Sequence, residues 1–499
     1  MTYGRTKRKS KKVKKAPGQI PVFNAMQNEF MPFKDVWQAP AHLKRDQTRL
    51  KYTAIFRRFQ GASSDQASVI KAQQSPIPMW IADMDIPPCD TILSAITQNL
   101  RSSYGYQSLD IGEAVAKRFE RNTPKTSRFK VESDDVVDVV SVIGAVDISL
   151  RTFCQPGQKV MVFTPTYSPL IEAIKSNRLK PVYIPVTRER YSLESKETEA
   201  PFFDGSAKGE DQNLDNTDLS INLTALDPSA SAFVICHPNN PTGTVLNAEE
   251  QRVILDFCAR HNILIITDEV HSDFAFNSSN EPTLIPMFGA EVSPSELKKN
   301  DSLKAECSTS HRLPRIIHLN SVSKAFNLAS VPGASYAVIK DKKTKEIFAQ
   351  AVNSRHLNAS NLGKVALIAA YQSGSTWLDD VKSALSFNRK LVHRFFKYYG
   401  VTVNYTMGSA GYFLWLDLSS FSTRLTQPLT SALKRKGSLD DDTREVLKYS
   451  PVTNVEACIE RGVIGNDGAP FGAPDHIRLN LACQPVVIET ALKRLCFVS

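Results

Sequence analysis

From about residue 135 onward, short apolar runs alternate with stretches of helical periodicity, and each run stops at a polar cluster. Residues 135–140 predict a strand and 143–153 a helix; 159–163 predict a second strand, ending at TPTY. Ala232–Cys236 predicts a third, ending at HPNNPTG. Asn247, with Glu250 three residues on, has the form of a capping box, and it opens a helix with the stripe Val253, Ile254, Phe257 and Cys258. The run 263–266 shows no alternation, as suits a strand covered on both faces, and ends at TDEVH. A last run, 316–319, stops at Asn320 and Ser321, with Ser323 and Lys324 just beyond. This β-α-β rhythm predicts an α/β fold: a mostly parallel sheet with helices on both sides.

Composition adds little until the charge is located. The 499 residues are 42% hydrophobic and 22% charged, ordinary for a globular chain, and no apolar stretch is long enough to cross a membrane. Eight of the ten net positive charges fall in the first fifteen residues, within RTKRKSKKVKK, so the body is nearly neutral. A segment so basic, with no apolar core, predicts a disordered tail with at most weak, sequence-independent affinity for nucleic acid. It has neither the apolar region of a secretory signal nor the amphipathicity of a transit peptide. The eight cysteines form no C-x-x-C pair and several sit in apolar runs, which predicts a reducing, cytoplasmic setting without a metal site or a disulfide framework.

TPTY, HPNN, TDEVH and NSVSK all follow directly on apolar strands, and open parallel sheets bind ligands outside the carboxyl ends of their strands. Taken singly, each has an ordinary explanation: a half-buried aromatic, a turn, a helix cap, a solvated lysine. Together they suit pyridoxal 5'-phosphate (PLP), whose aldehyde takes a lysine amine and whose ring nitrogen takes a carboxylate. Lys324 is the candidate lysine and Asp268 the carboxylate. Asn240 can donate to the phenolic oxygen and Tyr167 can lie over the ring. The phosphate would rest on the helix opening at Val142 and Ile143, with Ser321 and Ser323 opposite.

HPNNPTG, TDEVH and SVSKAFN resemble the asparagine, aspartate and lysine motifs of fold-type-I PLP enzymes of the class I/II aminotransferase superfamily. PMWIADMDIPP, SSYGYQ, AAYQSGSTWLDD, IRLNLACQP and His271 after Asp-Glu-Val resemble the MalY/PatB-type cystathionine β-lyases within it. The resemblance runs from about residue 46 to the C-terminus. It implies a large PLP-binding domain over 91–360 and a smaller α/β C-terminal domain over 361–499, with 46–90 packing on the small domain and 1–45 forming a tail and arm. It implies that Arg478 clamps the substrate carboxylate, that His271 joins the cofactor residues, and that Tyr106 reaches the phosphate in the opposite subunit of a homodimer.

The activity implied is β-elimination from an amino-acid substrate such as L-cystathionine, with Lys324 as general base, giving homocysteine, pyruvate and ammonia. Transamination is the alternative, since it uses the same cofactor residues, and a PLP-binding regulatory protein is a third reading. Two departures stand out. Pro332 occupies the position where many aminotransferases carry a phosphate-binding arginine, and polar insertions are expected near 197–222, 291–312 and 425–449.

Overall fold

The computed structural model describes residues 50–51, 76–102, 105–122, 129–187, 220–221, 225–283, 287–290, 314–399, 401–421 and 451–497. The basic tail, Cys307 and the insertions at 291–312 and 425–449 lie outside the described residues, as does the 197–222 insertion except for Ser220–Ile221.

Eight strands form the main sheet: β1 (Val136–Val139), β2 (Lys159–Thr164), β3 (Lys180–Thr187), β4 (Ser220–Ile221), β5 (Ala232–Cys236), β6 (Leu264–Asp268), β7 (Ile316–Ser321) and β8 (Ser335–Val338). Their spatial order is β1-β8-β7-β6-β5-β2-β3-β4. The sheet is parallel throughout its centre; β8 runs antiparallel to β7 and β1, and β4 antiparallel to β3.

The unbroken apolar runs have a simple cause. Successive side chains of a strand point to opposite faces, and both faces are covered. Val160, Val162, Val234 and Ile266 pack under the helices Val142–Phe153, Ser168–Ser176 and Lys342–Ser354. Met161, Phe163, Phe233, Ile235 and Ile265 face the Ala248–Arg260 helix. That helix starts where the sequence indicates: Asn247 Oδ1 accepts from the Glu250 amide, and Glu250 Oε2 accepts from the Asn247 amide, each at 2.9 Å.

Two strands run further than their apolar runs. β6 continues through Thr267 and Asp268, and β7 through Asn320 and Ser321. Ladder hydrogen bonds need only backbone, so a polar side chain does not end a strand whose neighbours continue. Asp268 consequently sits on the last rung, in register between Cys236 of β5 and Leu319 of β7.

A smaller antiparallel sheet, in the order Tyr405–Thr406, Phe413–Asp417, His476–Asn480, Asn466–Asp467, packs with the helices Ser375–Tyr399 and Pro485–Cys496. Near the other end of the described chain, Ile77–Pro78 pairs in parallel with Val463–Ile464. That pairing is a separate two-stranded sheet; the strap that follows, residues 79–85, meets the small sheet where the Asn480 amide donates to the Met79 carbonyl at 2.8 Å.

Candidate active site

Lys324 lies in a single helical turn, Val322–Ala325, directly after β7. Burial and the positive charge of Arg478 both hold its amine below the ordinary lysine range, while Asp268 and Asp83 pull the other way. Asp268 is buried, and that burial lifts its carboxyl to about 6, against the opposing effects of the Val270 amide and Lys324. Its neighbour Glu269 is also buried, yet fully engaged. It accepts from Thr267 Oγ1 at 2.7 Å and from the Phe288 amide at 3.3 Å, and it meets His318 Nδ1 at 2.9 Å. Alternation along the strand thus separates a carboxylate serving the fold from one facing the site.

Arg478 comes from the small sheet, on the His476–Asn480 strand. Its Nη1 donates to Asn240 Oδ1 at 2.8 Å and its Nη2 to the Trp80 carbonyl at 3.0 Å. The guanidinium carbon lies 4.2 Å from the Phe413 ring centroid and 5.2 Å from that of Phe471. Such a cage fixes the plane of the group and keeps water from it, preparing it for bidentate contact with a carboxylate.

Tyr167 caps the Ser168–Ser176 helix by its backbone and is half-buried. Burial first, then the charge of Asp268, raises its hydroxyl above the ordinary phenol range, with Arg478 opposing. His271 is held neutral: burial, Lys324 and Arg478 lower it to about 3. Lys324, Asp268, Tyr167, His271 and Arg478 thus lie close enough to perturb one another, and Asn240 joins them through its bond from Arg478.

The helix Val142–Phe153 is capped by Ser141, whose Oγ accepts from the Gly144 amide at 3.1 Å, while Ala145 bonds back to the Ser141 carbonyl. The amides of Val142 and Ile143 belong to the first turn, where a helix offers no internal acceptor. The Gly333 amide donates to the Val140 carbonyl at 2.9 Å, which ties this end of the helix to the segment after Lys324.

Two of the residues named from sequence stand differently. The Ser321 hydroxyl donates to the Ala334 carbonyl at 2.7 Å and accepts from the Ser323 amide at 3.0 Å. It is a cap whose hydroxyl proton is engaged within the fold, and Ser323, two residues on, is half-buried. Tyr106 lies apart from the cluster, wholly exposed on the surface of the single chain.

Sequence reasoning missed the residues that hold the strap. Asn327, three positions after Lys324, adopts a left-handed backbone with φ 55°. Its carboxamide clasps Met84, accepting from the amide and donating to the carbonyl at 3.0 Å each. Asn480 donates to the Ile81 and Asp83 carbonyls at 2.8 and 2.9 Å. Both asparagines stand inside quoted motifs. An asparagine in a turn, where the left-handed region is open to it, was the available signal for Asn327.

PLP fits this arrangement. Thr166 Oγ1, His271 Nδ1 and Tyr412 Oη are buried without a hydrogen-bond partner among the described residues, and buried polar atoms of folded proteins rarely stay so. They belong to segments that also carry Tyr167, Asp268 and Phe413. Among the described residues no cluster of three or more histidine, cysteine or acidic groups could hold a metal ion.

A family model described as aminotransferase class I and II matches residues 69–495. Cystathionine beta-lyase PatB of Bacillus subtilis is 24% identical over 441 residues, spanning 87% of this chain and 96% of PatB. Protein MalY of Escherichia coli is 27% identical over 427 residues, spanning 84% of this chain and 90% of MalY. Among solved structures, cystalysin from Treponema denticola, which contains PLP, aligns with a TM-score of 0.62 at 20% identity, covering 88% of this chain and 95% of cystalysin. A putative PLP-dependent beta-cystathionase from Corynebacterium diphtheriae aligns at 0.63 with 21% identity, covering 92% and 98%. These structural likenesses place the architecture among the fold-type-I PLP proteins. With the family model spanning most of its length, and the sheet-edge site in place beneath it, this chain belongs to the class I and II aminotransferase family.

Proposed function

We propose that this chain is a PLP-dependent carbon–sulfur β-lyase acting on cysteine S-conjugates such as L-cystathionine, and releasing a thiol, pyruvate and ammonia. The observation that carries this reading is the strap. PMWIADMD, the stretch most specific to the lyase branch, is bonded both to the element holding Lys324 and to the strand holding Arg478. The names of the PatB and MalY-type relatives support it.

PLP, when bound, supplies an aldehyde for amines and a pyridine ring that withdraws electrons from the substrate α-carbon. The chain supplies the rest. Lys324, kept below the ordinary lysine range by burial and Arg478, gives up its proton more readily; it would hold the cofactor's aldehyde and would be the base that takes the substrate α-proton. Asp268 holds a proton at the ring nitrogen: its burial makes a bare carboxylate costly, and a protonated nitrogen beside it relieves that cost. Asn240, its Oδ1 already given to Arg478, offers Nδ2 to the phenolic oxygen. Tyr167 would cover the ring, and His271, held neutral by burial, would lie beside it.

Arg478 receives the substrate carboxylate. The carbon–sulfur bond then breaks, with the electron pair leaving on sulfur as thiolate, and the eliminated product hydrolyses to pyruvate and ammonia. The amides of Val142 and Ile143, with Ser323, would hold the phosphate. Because Pro332 brings no positive charge there, Tyr106 from the second subunit of a homodimer adds a further donor. The seven described cysteines are free and buried, which suits a reducing, cytoplasmic compartment.

The test is direct. Purified protein with L-cystathionine and no added keto acid should release pyruvate and a free thiol in equal amounts. Activity that appears only when a keto acid acceptor is supplied would assign transamination instead.

A further inference from the structure

Arg389 sits on the Ser375–Tyr399 helix and is completely buried, outside every motif that carries the chemistry. Its Nε donates to Asn280 Oδ1 at 2.8 Å, and its Nη2 to the Gly408 carbonyl at 2.6 Å and to the Met407 carbonyl. Nη1 lies 3.4 Å from the Gly411 carbonyl, and the guanidinium stacks 4.6 Å from the Phe276 centroid. Carbonyls turning inward from one loop need several donors at fixed angles. Arginine alone offers five in a rigid fork, and its charge strengthens each bond.

The loop so held, residues 407–411, is pressed against the turn that carries Asn240. The Ala410 amide donates to the Gly243 carbonyl at 2.9 Å, and the Gly411 amide to the Phe274 carbonyl at 2.7 Å. Gly243 has φ 74°, and a Cβ there would stand 2.2 Å from the Ala410 carbonyl oxygen; a Cβ on Gly408 would stand 2.3 Å from the Gly243 carbonyl carbon. Backbone touches backbone, with no side chain between to absorb a displacement. Gly243 in turn closes on Asn239, its amide donating to the Asn239 carbonyl at 2.8 Å, and the next residue is Asn240, bonded to Arg478.

We propose that Arg389 is a positioning residue. By holding the 407–411 loop it sets the seat of the Asn240 turn and, through Asn240 Oδ1, that of the Arg478 guanidinium. The functional part of this rests on the assignment of Asn240 to the phenolic oxygen. A buried arginine serving stability alone would lower the melting temperature without singling out this turn.

The test compares the parent with Arg389→Lys, and with Asn280→Gly, which removes the Nε acceptor and keeps the left-handed backbone of φ 58° available. In the cofactor-free full chain, hydrogen–deuterium exchange should quicken roughly tenfold or more over 239–246 and 407–411, as when a charge-assisted bond is weakened. Exchange over 232–236, in β5, should match the parent. In the PLP-loaded protein, the visible band should titrate at higher pH, because a misplaced Asn240 stabilises the phenolic anion less. The same arginine change made on an Asn240→Ala background should add no further shift. Uniformly faster exchange, or a titration midpoint equal to the parent's, would overturn the proposal. If the parent took up no PLP, the functional reading would fall, while the exchange experiment would still decide the link through the loop. Should Arg389→Lys fail to fold, Asn280→Gly provides the same comparison.

Discussion

The sheet edge and the strap approach the same site by opposite means. At the edge, Asp268 and Lys324 stand on or directly after neighbouring strands, each fixed by a ladder of backbone hydrogen bonds. The strap 79–85 has no ladder over most of its length. It is held at its carbonyls and amides by side chains from two directions, Asn327 on one side and Arg478 and Asn480 on the other. Under the proposed function, the edge places groups that react, whereas the strap aligns what surrounds them. Loss of an edge group should therefore abolish chemistry, and loss of a strap contact should misalign a working centre.

The harshest trial of that contrast is Lys324→Ala. Visible absorbance should vanish and turnover should fall by at least about a thousandfold, since amine nucleophile and general base go together. Turnover close to the parent's would put the reacting amine elsewhere.

Asp268→Asn should separate function from stability. A carboxyl lifted to about 6 by burial penalises the folded state when ionised. The penalty is absent below the ordinary carboxylate range, grows as pH rises, and is complete above about 6. Without cofactor, the variant should thus be the more stable protein at neutral pH, by up to about 3 kcal/mol, with the advantage fading towards pH 4. Thermal denaturation at several pH values reads this, and a variant less stable than the parent at pH 7 would contradict it. Its elimination activity should nonetheless collapse.

Tyr106→Phe asks whether one chain holds the whole site. Cofactor affinity should drop about ten- to a hundredfold, as for one hydrogen bond to a charged phosphate. Heterodimers of this variant with Lys324→Ala should show about half the parental dimer's activity, because one site of each carries neither change. Heterodimers that form without any recovery would mean that Tyr106 does not act across subunits.

The mildest effect belongs to the strap. Asn327→Gly keeps the left-handed backbone available but deletes both bonds to Met84. It should lower kcat/KM about tenfold and leave the visible band in place. A lost band would mean that the strap also shapes the cofactor seat.

These differences also explain what could be read in the sequence. The apolar runs revealed the strands and their two covered faces, and the polar clusters at their ends marked the edge, because both are local patterns. Arg478 stood out only through its motif. Nothing local says that Asn327 should meet Met84, or that Ser321 spends its hydroxyl on Ala334, since those partners are chosen by tertiary packing. Arg389 offers no signal either: an arginine on an amphipathic helix ordinarily faces water, and only the carbonyls of a distant loop explain its burial.

The pairing of Ile77–Pro78 with Val463–Ile464 carries a consequence for biosynthesis. A chain emerging from the ribosome exposes its strap early, but the strand that receives it is made almost four hundred residues later, with Arg478 and Asn480 later still. Until then PMWIADMD has only half of its anchors. The main sheet can condense during translation, whereas the side proposed to bind the substrate must wait for near-complete synthesis. A nascent chain stalled before residue 463 would carry the lysine and the aspartate and still lack a place for the substrate's carboxylate.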